Sequence, residues 1–248
     1  MRCKIWWRIK RVFAYLGFLI VGIIFFIPAF IIACLPEKWR FDNRLFFNIF
    51  TKFFYHAVIK LVMVPVKFEG RKNITDDPSI IIANHQSSLD IPLVGKLLNG
   101  FPHIWLYTNR FSDLPLIGFV FRRMGIPVDM SSPRKAIEAL HEAQRRFANE
   151  SRHLIIFPEG GRYADNEIHK FFSGFARIAK ETNRPVIPVV IWGVEKVLEP
   201  FGIWIKYSPV KVLVGEPFIC GQEESPKEFT ERVQAWYEKT FAQGLKSV

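Results

Sequence analysis

The chain has 248 residues, half of them apolar, with 34 Lys/Arg against 23 Asp/Glu and three scattered cysteines. That apolar share supports a sizeable core and excludes a mostly disordered chain, while Cys3, Cys34 and Cys220 show neither paired-thiol nor zinc-ligand spacing and fit a reducing compartment. The net charge of +11 is concentrated in residues 1–72, where 13 Lys/Arg face only Glu37, Asp42 and Glu69; with no stacking or groove-reading motif beside it, this excess argues against nucleic acid and for a membrane.

The first predicted element, 12–35, runs for 24 residues without a formal charge. As a helix rising about 1.5 Å per residue it is long enough to cross a hydrocarbon core of about 30 Å. Arg2, Lys4, Arg8, Lys10 and Arg11, with Trp6 and Trp7 among them, precede it and suit an anionic lipid surface. Ile31-Ile32-Ala33-Cys34 resembles a bacterial lipoprotein cleavage box, but the run is longer than the roughly 7–15 residues of a signal-peptide core. Pro28 lies inside the run, and its missing backbone donor favours a kink or re-entrant turn over a straight helix. Both a span and a hairpin dipping into one leaflet stay open.

The next segment repeats a polar residue every four positions, at Arg44, Asn48, Lys52, His56 and Lys60, with phenylalanine and aliphatic residues filling the rest. A helix of this kind can lie in the lipid interface or cover the core of the following domain, and both readings fit. After Gly70 short β-branched runs alternate with helical stretches, as in an α/β domain. Strands are expected at 64–68, 80–83, 104–107, 153–157, 186–192, 203–207 and 211–214. Helices are expected near 91–98, 116–123, 133–148, 174–182 and 226–241. Ser132-Pro133 and Ser225-Pro226 each read as a cap followed by a first helical proline, and Glu228 completes a capping box with Ser225. The organisation is therefore an N-terminal membrane anchor and amphipathic helix, 1–63, followed by one mixed-sheet domain flanked by helices, 64–248.

Two polar boxes carry the chemistry. Ser79-Ile80-Ile81-Ile82-Ala83-Asn84-His85-Gln86-Ser87-Ser88-Leu89-Asp90 sets a histidine just past a buried strand and an acid five residues later, placed as a helix cap ahead of Pro92. A short loop can return that carboxylate to the far nitrogen of the imidazole, which orients a general base; a loop histidine beside a helix cap is the ordinary alternative. His153-Leu154-Ile155-Ile156-Phe157-Pro158-Glu159-Gly160-Gly161-Arg162 is again a strand ending in a polar turn, and strand ends of an α/β sheet gather at one rim.

With these residues the sequence resembles the glycerolipid acyltransferase family, whose bacterial members include 1-acylglycerol-3-phosphate acyltransferase. Asn84 to Asp90 fit its His-x-x-x-x-Asp box, Phe157 to Arg162 approach its Phe-Pro-Glu-Gly-Thr-Arg box, and Val186-Ile187-Pro188-Val189-Val190 fits its later proline-containing strand. The likeness covers residues 64–216. Gly161 stands where the family usually has threonine, a change that a permissive glycine should allow. Met130 follows Asp129 where the family has an arginine associated with the acceptor phosphate, so a different head group stays open and Arg110, Arg134 or Lys135 are candidates to compensate.

The resemblance implies an acyltransferase domain that moves a fatty acyl group from acyl-CoA or acyl carrier protein to the hydroxyl of a lysophospholipid. His85 would take the hydroxyl proton while Asp90 fixes its tautomer. Glu159, Gly160, Gly161 and Arg162 would shape the acceptor site, with Arg162 on a phosphate and the amides near Gly160 and Gly161 as oxyanion donors. No cofactor or metal is expected: His141-Glu142 begins a zinc-protease pattern that Arg145 breaks. The resemblance places the protein in a phospholipid membrane, the inner membrane if bacterial, with its catalytic domain facing the cytosol. A hydrolase is the rival enzyme, although no Gly-x-Ser-x-Gly elbow is present. A non-catalytic lipid-binding protein is the rival from another class, and it leaves both polar boxes without a purpose.

Overall fold

The computed structural model describes residues 2–41, 43–129, 133–149, 151–200 and 202–245. The chain opens with α1 (Arg2–Cys34), α2 (Glu37–Phe41), α3 (Arg44–Phe46) and α4 (Lys52–Val62), the last two joined by a π-helical turn, Phe47–Thr51. There follow β1 (Val66–Glu69), β2 (Ile80–Ala83), α5 (Asp90–Leu97), β3 (His103–Thr108), α6 (Ile117–Met124), β4 (Ile126–Val128) and α7 (Pro133–Asn149). The last third comprises β5 (His153–Ile156), α8 (Gly174–Thr182), β6 (Val186–Trp192), α9 (Val194–Val197), β7 (Val210–Val214) and α10 (Pro226–Leu245).

The strands form one sheet in the order β1-β7-β6-β2-β5-β3-β4, parallel throughout except between β6 and β7. β2 is therefore central, and β2, β5 and β6 all end at the same rim. Its Ile80-Ile81-Ile82 run is apolar without alternation because both faces are covered. Ile81 and Ala83 meet the layer holding α4 and α5. Ile80 and Ile82 meet the layer of α7, α8 and α10. Burying each such isoleucine is worth about 1.5–3 kcal/mol, and Tyr237 of α10 pins the second layer by donating to Ile82 O at 2.7 Å and accepting from Val189 N at 3.0 Å.

α1 continues through Pro28 to Cys34, so of the alternatives left open at Pro28 the turn within the apolar run is not formed. The chain reverses beyond Cys34 instead. Arg123 of α6 donates to Ala33 O at 3.0 Å and Leu35 O at 3.1 Å, capping the carbonyl end of α1, and Asn43 Oδ1 accepts from Phe46 N to start α3. Returning helices α3 and α4 pack antiparallel to α1, with Phe25 stacked on Phe54 at 4.3 Å and the Gly17 backbone against Leu61. Small residues Ala14, Ala29 and Ala33 allow the close approach on the inner side. Phe13, Leu16, Ile20, Ile23, Ile27 and Ile31 form the exposed outer side.

The second segment has one side packed on the domain and one side exposed. Phe47, Thr51, Tyr55 and Ile59 are buried toward the domain, while Leu45, Ile49 and Phe53 are exposed. The segments Val12–Cys34 and Glu37–Val62 are long and apolar enough to cross a membrane. The expectation for Arg2, Lys4, Arg8, Arg11, Trp6 and Trp7 concerns side chains outside those described, as do Met130 and the cap at Ser132.

Within the domain the expected strands form to within two residues, with one exception. Residues 203–207 are not a strand: both sides of β6 and of β7, the strands on either side of this stretch in the chain, are already taken, and it pairs with neither outer strand. β4 was not expected at all; it forms because the edge of β3 is open to it. The capping box is present, Ser225 N donating to Glu228 Oε2 at 2.8 Å and Glu228 N to Ser225 Oγ at 3.2 Å.

Candidate active site

The loops following β2, β5 and β6 meet over the rim of the sheet, at the place where strand order branches to either side of β2. His85 leaves the end of β2, and its Nδ1 lies 2.8 Å from Asp90 Oδ2. The same carboxylate oxygen accepts the amides of Gln86 and Ser87, each at 2.7 Å. Asp90 was expected to cap α5, but it is the first residue of that helix and makes no cap bond; its carboxylate turns back to close the preceding loop around the imidazole. Charge-assisted bonds of this kind are worth about 1.5–3 kcal/mol each, enough to hold a five-residue loop in one shape.

The other face of the arrangement comes from β5. Phe157 stacks on the His85 ring at 3.9 Å and 12°, and Trp105 of β3 stacks behind Phe157. The His85 amide donates to Glu159 Oε1 at 2.8 Å and the His85 carbonyl accepts from Tyr163 N at 3.0 Å. Glu159 Oε2 accepts from His169 N at 3.0 Å. Glu159 is almost fully buried, and both its oxygens are taken by backbone amides, so it clasps two loops together from within. Desolvation raises its carboxyl to about 7 despite the two amides that favour the charged form.

Arg162 completes the group. Its Nε donates to His85 Nε2 at 3.1 Å, and its Nη1 donates to Ser88 Oγ at 2.8 Å and Pro200 O at 3.0 Å. A guanidinium only donates, so Nε2 is the accepting nitrogen and the ring proton sits on Nδ1, facing Asp90. The histidine side chain keeps 10% of its surface exposed, whereas the Asp90 side chain has none. Neither serine bonds the ring: Ser87 Oγ donates to Leu198 O at 2.6 Å, and Ser88 accepts from Arg162.

The two glycines play different parts. Gly160 has φ +68°, and a Cβ there would meet the Phe172 ring at 2.7 Å; its amide donates to Phe157 O and so is spent on the turn, contrary to the expectation of an oxyanion donor. Gly161 is not in the left-handed region, and a Cβ there would lie 2.8 Å from Tyr163 Oη. A larger residue in this position would require the outer end of the Tyr163 ring to move. Tyr163 in turn stacks on His169 at 3.7 Å, and His169 Nε2 meets Asp165 at 2.7 Å.

Arg134 and Lys135 are not gathered beside the histidine. Arg134 is paired with Glu138 and Lys135 with Asp129, all beyond edge strand β4, three strands from β2. Arg110 is exposed on the 3-10 turn after β3, at the same rim. Sequence reasoning missed three participants. Phe157 lay inside the second box and its ring was recognisable there, but nothing local marks Pro200 or Trp105. Behind the pair lie Gln86 and Glu195, both buried, the latter with its carboxyl raised by desolvation. Among the described residues no group of three or more His, Cys, Asp or Glu is placed to hold a metal.

Such a constellation has the parts of an oriented base with a cation beside it. A model of the Acyltransferase family matches residues 65–192, just over half of the chain. The 1-acyl-sn-glycerol-3-phosphate acyltransferase of Saccharomyces cerevisiae is 31% identical over 157 residues, 61% of this chain; the chain spans about half the length of that relative, the match covering 51% of it. The protein of the same name from Pseudomonas aeruginosa is 26% identical over 196 residues, covering 73% of this chain and 72% of the relative. The crystal structure of the 1-acyl-sn-glycerophosphate (LPA) acyltransferase PlsC from Thermotoga maritima shares the fold, with a TM-score of 0.75 at 23% identity over 98% of both chains. This chain belongs to the Acyltransferase family.

Proposed function

We propose that the protein is a membrane-bound O-acyltransferase that moves a fatty acyl group from acyl-CoA or acyl carrier protein to the free hydroxyl of a lysophospholipid, 1-acylglycerol-3-phosphate first among them, giving phosphatidic acid. The observation that carries this reading is the chain of contacts Asp90–His85–Arg162, in which a partly exposed imidazole accepts at Nε2 from a guanidinium. The names of the yeast and Pseudomonas relatives agree with it.

A thioester is already activated, so the protein needs to raise the nucleophilicity of an alcohol and steady the tetrahedral oxyanion. His85 Nε2 takes the hydroxyl proton as the oxygen attacks the thioester carbonyl. Asp90 holds the ring in the required tautomer and stabilises the imidazolium. When the carbon–sulfur bond breaks, the thiolate recovers the proton and leaves as thiol. No acyl-enzyme is needed, and among the described residues neither serine of the loop bonds His85.

Arg162 has a second part in this reading. Its Nε–H covers the very lone pair that must accept the proton. A phosphate on the acceptor draws the guanidinium onto itself and uncovers Nε2, so a phosphorylated lysolipid prepares the base as it binds. The domain works from the cytosolic side, where both donors reside, and from the inner membrane in a bacterium. A screen of acyl-CoA and acyl carrier protein donors against lysolipids of different head group, with mass analysis of the product and a His85→Ala control, tests the proposal. Phosphatidic acid formed only by the unsubstituted protein supports it. Thioester hydrolysis without acceptor acylation would replace it with the hydrolase, and lysolipid binding without thioester consumption with the lipid-binding protein.

A further inference from the structure

We infer that the described residues of the connection between α9 and β7, 198–200 and 202–207, are a second bilayer-seating element beside α1, and that their seating sets the position of Arg162. The inference rests on the membrane placement of the N-terminal helices and adds to it a contact made by the α/β domain itself.

Ile203, Trp204 and Tyr207 are 67%, 59% and 59% exposed, three large apolar or aromatic side chains within five residues. Ile205 between them is 4% exposed and rooted in the same core cluster as Ala14 of α1. The segment is not loose. Lys206 N donates to Val197 O at 2.8 Å, and Lys206 Nζ reaches Glu199 at 2.6 Å. A surface patch held in this way, with tryptophan and tyrosine at its outer side, has the composition of a protein–lipid interface.

The occupant follows from continuity. Tyr15 Oη donates to the carbonyl of Ile203, so the segment is tied to α1 three residues after the apolar run begins. Beside that bond the outer side of α1 exposes Phe13 and Leu16. A bilayer that receives the start of α1 at its headgroup level receives Trp204 at the same level. The patch and the outer face of α1 thus make one apolar surface, and lipid is the partner that fits all of it.

The near end of the segment reaches the candidate active site. Leu198 O accepts from Ser87 Oγ and Pro200 O accepts from Arg162 Nη1 at 3.0 Å. A displacement of the segment as it enters or leaves lipid therefore moves one acceptor of the guanidinium that covers His85. Seating on the bilayer and uncovering of the base are coupled through Pro200.

The test uses the full chain, purified in detergent and reconstituted in vesicles of phosphatidylcholine and phosphatidylglycerol. In a Cys3→Ser, Cys34→Ser, Cys220→Ser background, Ile203→Cys carries a fluorophore, and Lys227→Cys on α10 carries it as the reference. Doxyl-labelled lipid is expected to quench the probe at 203 strongly and the probe at 227 hardly at all. Equal quenching at the two positions overturns the inference, and so does cross-linking through position 203 between two copies without quenching, which would assign the patch to self-association. The paired substitution Ile203→Asp, Trp204→Asp is expected to lower kcat/KM about tenfold or more for lysophosphatidic acid presented in vesicles. With the same acceptor in mixed detergent micelles the loss stays smaller. Equal losses in both presentations overturn the coupling to Arg162. If the unsubstituted protein acylates no lysolipid, the enzymatic reading fails while the quenching result stands by itself.

Discussion

The N-terminal helices and the α/β domain are built from the same kinds of side chain and dispose of them in opposite directions. β2 hides Ile80, Ile81 and Ile82 completely between two helical layers, whereas α1 turns Phe13, Leu16, Ile20, Ile23 and Ile27 outward. An exposed apolar stripe of that length is the pattern of a helix that meets lipid on one side and protein on the other. Apolarity tells how much surface leaves water; the arrangement tells what receives it. The candidate site lies where the two regimes approach each other, with His85 and Arg162 at the sheet rim and the segment that contacts Arg162 tied to α1.

The contrast can be broken from either side. His85→Ala is expected to lose about a hundredfold to ten-thousandfold or more in turnover, measured by initial rates with labelled thioester, while co-sedimentation with vesicles is unchanged. Near-normal turnover would remove His85 as the base. The converse change, Ile23→Asp, sets a charge on the outer side of α1 at a cost of roughly 2.5–3.5 kcal/mol for a residue deep in lipid. Flotation should show weaker membrane association, and unfolding of the domain in detergent should move by only about 0.5 kcal/mol or less. A large loss of domain stability would mean that α1 faces protein on that side too.

Arg162→Ala sharpens the comparison at the seam itself. Loss of a charged hydrogen bond to an acceptor phosphate is worth roughly 1.5–3 kcal/mol, about a tenfold to hundredfold fall in kcat/KM for phosphorylated lysolipid. Donor KM should hold steady. An acceptor dependence equal to that of the unsubstituted protein would leave Arg162 as a brace between Ser88 and Pro200.

The smallest effect belongs to Glu159, deep in the domain. Its carboxyl is raised from 4.5 to about 7 by desolvation, so the folded state holds its proton more tightly than the unfolded chain. The stability it contributes is full below the unfolded value and is lost as pH rises through about 7. Glu159→Gln should flatten that fall by something on the order of 1 kcal/mol between about pH 5 and about pH 8, read by denaturant titration. The same slope in both proteins would assign it to another group.

Much of this molecule was legible from its residues in order. The runs 80–83, 174–182 and 186–192 form elements with those same limits, and the box Ser225 to Glu228 caps α10 as its spacing requires. His85, Asp90 and Arg162 stood out because each follows a buried strand within a few residues, where a polar side chain must face the rim. The helical pair at the start was legible from charge and apolar length, although not the position of its reversal, since Pro28 is carried within α1 and the chain turns only after Cys34.

Other features had no local signal. Residues 203–207 and 126–128 look alike as short apolar runs, yet only the second is a strand: it lies alongside β3, whereas both sides of β6 and β7 are filled by other strands. Asp90 was marked both as the partner of His85 and as a helix cap; its carboxylate meets the imidazole and grips two loop amides in place of the helix end, while Glu159 grips the amides of His85 and His169. Local sequence determined which segments become helix or strand and which polar residues leave their ends, because those preferences arise within a few residues. Tertiary structure alone decided that Glu159 grips the amide of His85 across 74 positions and that Leu198 holds Ser87 across 111. Such partners are chosen by how the chain returns to the rim, and no short-range preference encodes that path.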